Sequence, residues 1–202
     1  MNRYITYLIM GPPGGGKGTQ GKALGSVPRF FHCACGDVFR SLDTRTPLGQ
    51  KFIEYSSKGL LVPDDLTVEL WRMSIEHQVV AGEFKPDIDA LVLDGIPRNE
   101  HQARLMDGLI DVKQVFHLQC AKRAELVRRL RKRALKDNRL DDASEAVINM
   151  RLDLYEKETK PVLDHYADRV VAIDALQPPV KVLHDIIEMI WNSHDGVLAF
   201  NA

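Results

Sequence analysis

Residues 11–20 read Gly-Pro-Pro-Gly-Gly-Gly-Lys-Gly-Thr-Gln, and no other stretch limits the fold so strongly. Its glycines let the backbone turn with the amides pointing inward, which makes an anion nest. Lys17 adds a positive charge that reaches the outer phosphates of a nucleotide. Residues 4–10 are a β-rich apolar run, and residues 20–24 have helical character. A strand, a glycine loop and a helix start in series place a helix dipole under a bound phosphate. The spacing from Gly11 to Gly16 and Lys17 is that of a phosphate loop, with one departure. Gly18 follows the lysine and the hydroxyl arrives one place later, at Thr19. A displaced hydroxyl argues against a generic GTPase or motor.

Short β-rich runs at 4–10, 30–33, 90–93, 114–118 and 170–173 alternate with helical patterns at 66–80, 100–109, 124–133, 143–166 and 180–191. This alternation predicts an α/β fold, a doubly wound five-stranded parallel sheet with helices on both faces. Ligands then gather at the carboxyl ends of the strands. The 202 residues suit a single domain. Its expected core is 1–33, 64–131 and 143–202, with a helical flap inserted at 34–63 and a short polar lid at 132–142. Asp142 or Ser144 can cap the helix after the lid, and Pro161 should kink or divide that helix.

Composition narrows the function. The 27 basic and 28 acidic residues nearly cancel, so no global field draws the chain to nucleic acid or membrane. The run from Arg128 to Arg133 is locally basic, but no aromatic stacking platform accompanies it, and a solvated helix face accounts for it. Cys33, Cys35 and Cys120 form neither a disulfide framework nor a zinc site. A cytoplasmic protein is the simplest expectation. No stretch approaches the length of a membrane helix. Phosphoryl transfer needs positioning and positive charge more than covalent chemistry. Arg40, Arg98, Arg129, Arg133, Arg139 and Arg151 stand at strand ends or beside the two inserts.

At this point the chain resembles the adenylate kinases. Gly11 to Gln20 is similar to their Gly-x-Pro-Gly-x-Gly-Lys-Gly-Thr-Gln loop. Cys35-Gly36-Asp37-Val38-Phe39-Arg40 resembles their acceptor motif, and Leu93-Asp94-Gly95-Ile96-Pro97-Arg98 their Asp-Gly-Phe-Pro-Arg signature. Gly59 to Asp64 resembles the end of their monophosphate flap, and Arg139-Leu140-Asp141-Asp142 their Arg-x-Asp-Asp segment. The resemblance runs from about residue 5 to residue 190 and is of the short-lid type.

The resemblance implies reversible phosphoryl transfer from ATP to AMP, giving two ADP, in a monomeric enzyme with Mg2+ bound with ATP. Gly14, Gly15, Gly16, Lys17, Gly18 and Thr19 would cradle the ATP phosphates. Arg129 and Arg133 would lie on the ATP side, and Gln177 in the segment that holds its adenine. Arg40 and Arg98 would grip the AMP phosphate. Cys35, Leu60, Leu61, Val62, Gly95, Ile96, Pro97 and Gln102 would line the rest of the AMP site. Arg139 and Arg151 would arrive with the lid and stabilise transition-state charge. Lys17, Arg98, Arg133, Arg139 and Arg151 form the implied catalytic set, and Asp94 would orient the magnesium through water. Asp141 and Asp142 either pair with arginines, position the lid or cap a helix. Cys35, Ile96 and Ala175 depart from the family's threonine, phenylalanine and glycine. A UMP/CMP kinase of the same family is the alternative, with Gln102 favouring AMP.

Overall fold

The structure is a computed structural model and describes residues 3–137 and 144–193. Its first strand, β1 (Tyr4–Met10), is apolar along most of its length, as a strand buried on both faces must be. It runs into the glycine loop and then α1 (Lys17–Leu24). Next come β2 (Phe30–Ala34), α2 (Cys35–Arg40), α3 (Pro47–Ser57) and α4 (Asp64–Val80). The chain continues through β3 (Ala90–Asp94), α5 (Glu100–Met106), β4 (Ile110–Gln119) and α6 (Arg123–Asp137). After 144 it forms α7 (Glu145–Leu154), a π-helical turn at Tyr155–Thr159, α8 (Val162–His165), β5 (Val170–Asp174) and α9 (Pro179–Asn192).

Among the described residues the strands make one five-stranded sheet in the order β2-β3-β1-β4-β5. All its pairings are parallel. Because β1 has β3 on one side and β4 on the other, the connections diverge at its carboxyl end and leave a crevice there. The glycine loop opens into that crevice.

Alternation along the strands divides the core. Leu8, Met10, Leu91 and Leu93 pack with Trp71 and Ile75 of α4 and Met106 of α5. Tyr7, Ile9, Val92 and Phe116 face the other way, onto Leu24 of α1 and Val182 and Ile186 of α9. A satellite cluster of Leu126, Leu130, Ile148 and Leu152 joins α6 to α7.

Some expected boundaries move. The lid was expected to begin at Lys132, yet α6 stays helical through Asp137. Charge does not end a helix, and the alanine, leucine, lysine and arginine there are all strong helix formers. The remainder of the expected lid, with Arg139, Asp141 and Asp142, lies outside the described residues. Ser144 caps α7, accepting from the Val147 N–H at 3.2 Å. The helix expected over 143–166 is divided by the π turn, and Pro161 stands before α8, where it has no helical N–H to supply.

His32 of β2 lies flat against α1, and its Nε2 stands 2.8 Å from Asp94 Oδ2 at the end of β3. Gly21 makes room for it: a Cβ there would sit 2.3 Å from His32 Nε2. Gly21→Ala should therefore lower stability by about 1–3 kcal/mol in urea unfolding, since the ring must leave Asp94. Gly108→Ala, with open space around the new methyl, should stay within about 0.5 kcal/mol of the parent.

Candidate active site

The phosphate loop takes its shape from three left-handed glycines, Gly11, Gly14 and Gly16, with φ of 147°, 81° and 100°. A side chain at Gly11 would also strike the main-chain oxygen of Leu118 in β4, 2.7 Å from an added Cβ. The loop thus sits directly on the sheet. Gly16 is the N-cap of α1, which supplies no side chain to cover the first helical N–H groups. Those donors are left for an anion.

Lys17 stands where the glycine loop meets the helix. It is the first residue of α1 and half-buried. Its Nζ donates to the carbonyls of Gly11 at 2.8 Å and Pro12 at 3.0 Å. Burial pulls its pKa down from 10.5 to about 7, Arg98, Arg133 and Arg151 add to the fall, and Asp94 opposes it. A group so placed regains its charge when an anion enters.

A cleft of about 930 Å³ extends from this loop. It is lined by Gly14, Gly15, Gly16, Lys17, Gly18 and Thr19, by Arg129 and Arg133 of α6, and by Gln177 before α9. Its lining also includes Cys35 and Arg40 of α2, Leu60, Leu61 and Val62 ahead of α4, Gly95, Ile96, Pro97 and Arg98 after β3, Gln102 of α5 and Arg151 of α7. Asp94 lines it as well. Of the site residues expected from the sequence, Arg139 lies outside the described residues, and the others share this one cleft.

The cations are held by neighbours. Arg98 donates from Nε to the Gly95 carbonyl at 2.7 Å, and its own carbonyl accepts from Thr159 Oγ1 at 2.7 Å. Arg40 pairs with Asp37 at 2.6 Å, a carboxylate that an incoming phosphate would have to replace. Arg129 binds Glu125 at 2.8 Å and the Ala175 carbonyl at 3.0 Å. Hydrogen bonds from Arg128 and Arg129 hold the Glu125 carboxyl down at about 2. Gln177 donates to the Asp174 carbonyl and to Asp185 of α9 at 3.2 and 3.0 Å.

Cys35 follows β2 directly. It opens α2, is 2 % exposed, and burial pushes its thiol up to about 11. It meets a ligand as a neutral thiol, a weak hydrogen-bonding group. Cys33, Cys35 and Cys120 are all free.

Sequence reasoning missed His32 and gave Asp64 no role. Asp94 is 8 % exposed, and a buried carboxylate needs a partner, which His32 supplies. The available signal was a lone polar ring in the apolar run Phe30–Ala34, which calls for a polar partner on a neighbouring strand. Asp64 accepts from Asn99, Gln102 and His101 behind the cleft.

The family model described as adenylate kinase matches residues 9–171. An adenylate kinase of Kocuria rhizophila is 39% identical over 176 residues, covering 84% of this chain and 89% of that relative. One from a Cyanothece species is 37% identical over 187 residues, covering 89% and 91%. Adenylate kinase 1 of a Nostoc species is 34% identical over 191 residues, covering 90% and 97%. With a phosphate loop and converging arginines around one cleft, and with similarity of this extent, the chain belongs to the adenylate kinase family.

Proposed function

We propose that the cleft transfers a phosphoryl group reversibly from ATP to AMP, with Mg2+ bound with the ATP. The observation that carries this reading is the placement of Lys17 and its phosphate loop in one cleft with Arg98 and Gln102. The ATP phosphates lie on the loop amides and Lys17, flanked by Arg129 and Arg133. The AMP phosphate lies between Arg40 and Arg98, whose planar guanidinium groups suit bidentate contacts. An oxygen of that phosphate attacks the terminal phosphorus of ATP, the bond to the bridging oxygen breaks, and two ADP result. The acceptor oxygen is already anionic, so no side chain has to remove a proton. Arg133, Arg151 and Arg139 stabilise the equatorial charge of the transition state.

The residues fit magnesium. This ion keeps several waters and binds through one or two carboxylates plus substrate phosphates. Asp94 is a carboxylate beside the loop, with glycine at position 18, so that no side chain stands between them. When bound, the ion would neutralise charge on the transferring phosphates. Asp94 would orient it through water, and His32 holds Asp94.

Residues 34–63 would serve as the flap and residues 132–142 as the lid, excluding water that would otherwise accept the phosphoryl group. A UMP/CMP kinase is the less favoured reading, because the smaller pyrimidine would leave part of the buried Gln102 amide unpaired. A cytoplasmic monomer completes the proposal, supported by the three free thiols. No helix among the described residues is long and apolar enough to cross a membrane.

Lys17→Met should reduce kcat in a coupled assay by about 100- to 1000-fold, the loss of one preorganised charge at the reacting phosphate. Its melting temperature should not fall, because the variant no longer buries a charge. A Lys17→Met protein that keeps most of its turnover would remove the phosphate-loop assignment.

Proton uptake gives a second test. The folded state holds Lys17 at about 7 and the unfolded chain at 10.5. Between these values the unfolded state binds the extra proton, so this group's contribution to stability rises with pH across that window. At pH 8 the ligand-free lysine is mostly neutral, and ATP must recharge it. Calorimetric titration at pH 8 in buffers of different ionisation enthalpy should show proton uptake on ATP binding, absent in Lys17→Met.

A further inference from the structure

Gln102 is 1 % exposed. Its Oε1 accepts from the main-chain N–H of Arg98 at 2.8 Å, and its Nε2 donates to Asp64 Oδ1 at 2.7 Å. These two partners are opposite in kind. A main-chain N–H can only donate, and an ionised carboxylate can only accept. Rotating the amide by half a turn would set NH2 against N–H and oxygen against carboxylate. The amide therefore has one orientation.

Each amide atom keeps one further bonding capacity, a second N–H and a second lone pair. Gln102 lines the cleft, so a base there meets one donor and one acceptor in a set order. Adenine offers the complement: N1 accepts and the 6-amino group donates. A 6-oxopurine offers the reverse, with N1–H donating and O6 accepting, and would fit only the forbidden orientation.

We propose that Asp64 is a positioning residue for base specificity, locking the Gln102 amide in the orientation that reads adenine and rejects 6-oxopurines. This rests on the reading that the acceptor base lies against Gln102. Asp64 does not itself line the cleft, so it acts through the amide. Its own state is held from several sides. Asn99 caps α5 by accepting the Gln102 N–H through Oδ1 at 2.8 Å, which leaves its NH2 to donate to Asp64 Oδ1 at 2.8 Å. His101 Nδ1 stands 3.1 Å from Asp64 Oδ2. Burial works against charge on Asp64, but the hydrogen bonds from Asn99, Gln102 and His101 outweigh it, so the carboxyl lies below its ordinary range. Asp64 also opens α4, where the helix dipole favours an anion.

The test compares AMP with IMP as acceptors, at saturating ATP, for the whole chain. Asp64→Leu should raise the KM for AMP about tenfold, with kcat within about twofold, the size expected for losing one buried hydrogen-bond anchor. The AMP-to-IMP ratio of kcat/KM should fall by a similar factor. Asp64→Asn keeps an acceptor oxygen toward Gln102 and should retain most of the ratio. Asp65→Leu removes a neighbouring charge from the same helical turn and should leave it unchanged. If the leucine variant does not fold, Asp64→Ser, too short to reach Gln102 yet acceptable at a helix start, serves with the same expected result. A folded Asp64→Leu or Asp64→Ser with the parent's AMP-to-IMP ratio, while Gln102→Ala raises the KM for AMP, would overturn the role of Asp64 alone. Gln102→Ala with an unchanged KM for AMP would overturn the acceptor-base reading, and this inference with it.

Discussion

Positive charges gathered to receive polyanions repel one another when the polyanions are absent. Lys17 shows the cost most plainly, since burial and the nearby Arg98, Arg133 and Arg151 bring its pKa to about 7. The surroundings answer this repulsion with anions and carbonyls. Asp37 meets Arg40 and Glu125 meets Arg128 and Arg129. Main-chain carbonyls of Gly11, Pro12, Gly95 and Ala175 accept from Lys17, Arg98 and Arg129. Substrate phosphates can replace these partners, so the same repulsion that opposes the empty cleft favours the filled one.

That charge can be concentrated because the scaffold beneath it is rigid and apolar. The central strands are buried on both faces, between α4 and α5 on one side and α1 and α9 on the other. Close packing gives such an interior low compressibility. The groups that must keep their position stand where these strands finish: the loop after β1, Cys35 after β2, and Asp94 at the end of β3. Close approach makes this possible at specific points, such as Gly11 on Leu118 and Gly21 under His32.

Behind the charged surface lies a polar layer whose work is orientation. His32 holds Asp94, Thr159 holds the Arg98 carbonyl, and Asp64 gathers Asn99, His101 and Gln102. Buried amides and carboxylates cost free energy unless every partner is supplied. Once supplied, they allow a single arrangement. Phosphate contacts alone do not distinguish one base from another, and the proposed discrimination rests on such a layer.

Much of this was legible without coordinates. The glycine loop, the alternation of apolar runs and helical periods, and the position of arginines after strands are local patterns, and local sterics and burial decide them. The parallel sheet and all its strands follow from those patterns, whereas most of the residues named for the cleft came from the resemblance to the adenylate kinases. Three-dimensional packing decided the rest. The low pKa of Lys17 came from burial in the folded cleft, with Arg98, Arg133 and Arg151 adding to it. The pairings of His32 with Asp94 and of Asp64 with Gln102 join residues 62 and 38 positions apart. Spacing along the chain cannot disclose such pairs, because they depend on which strand and helix ends the folded sheet brings together.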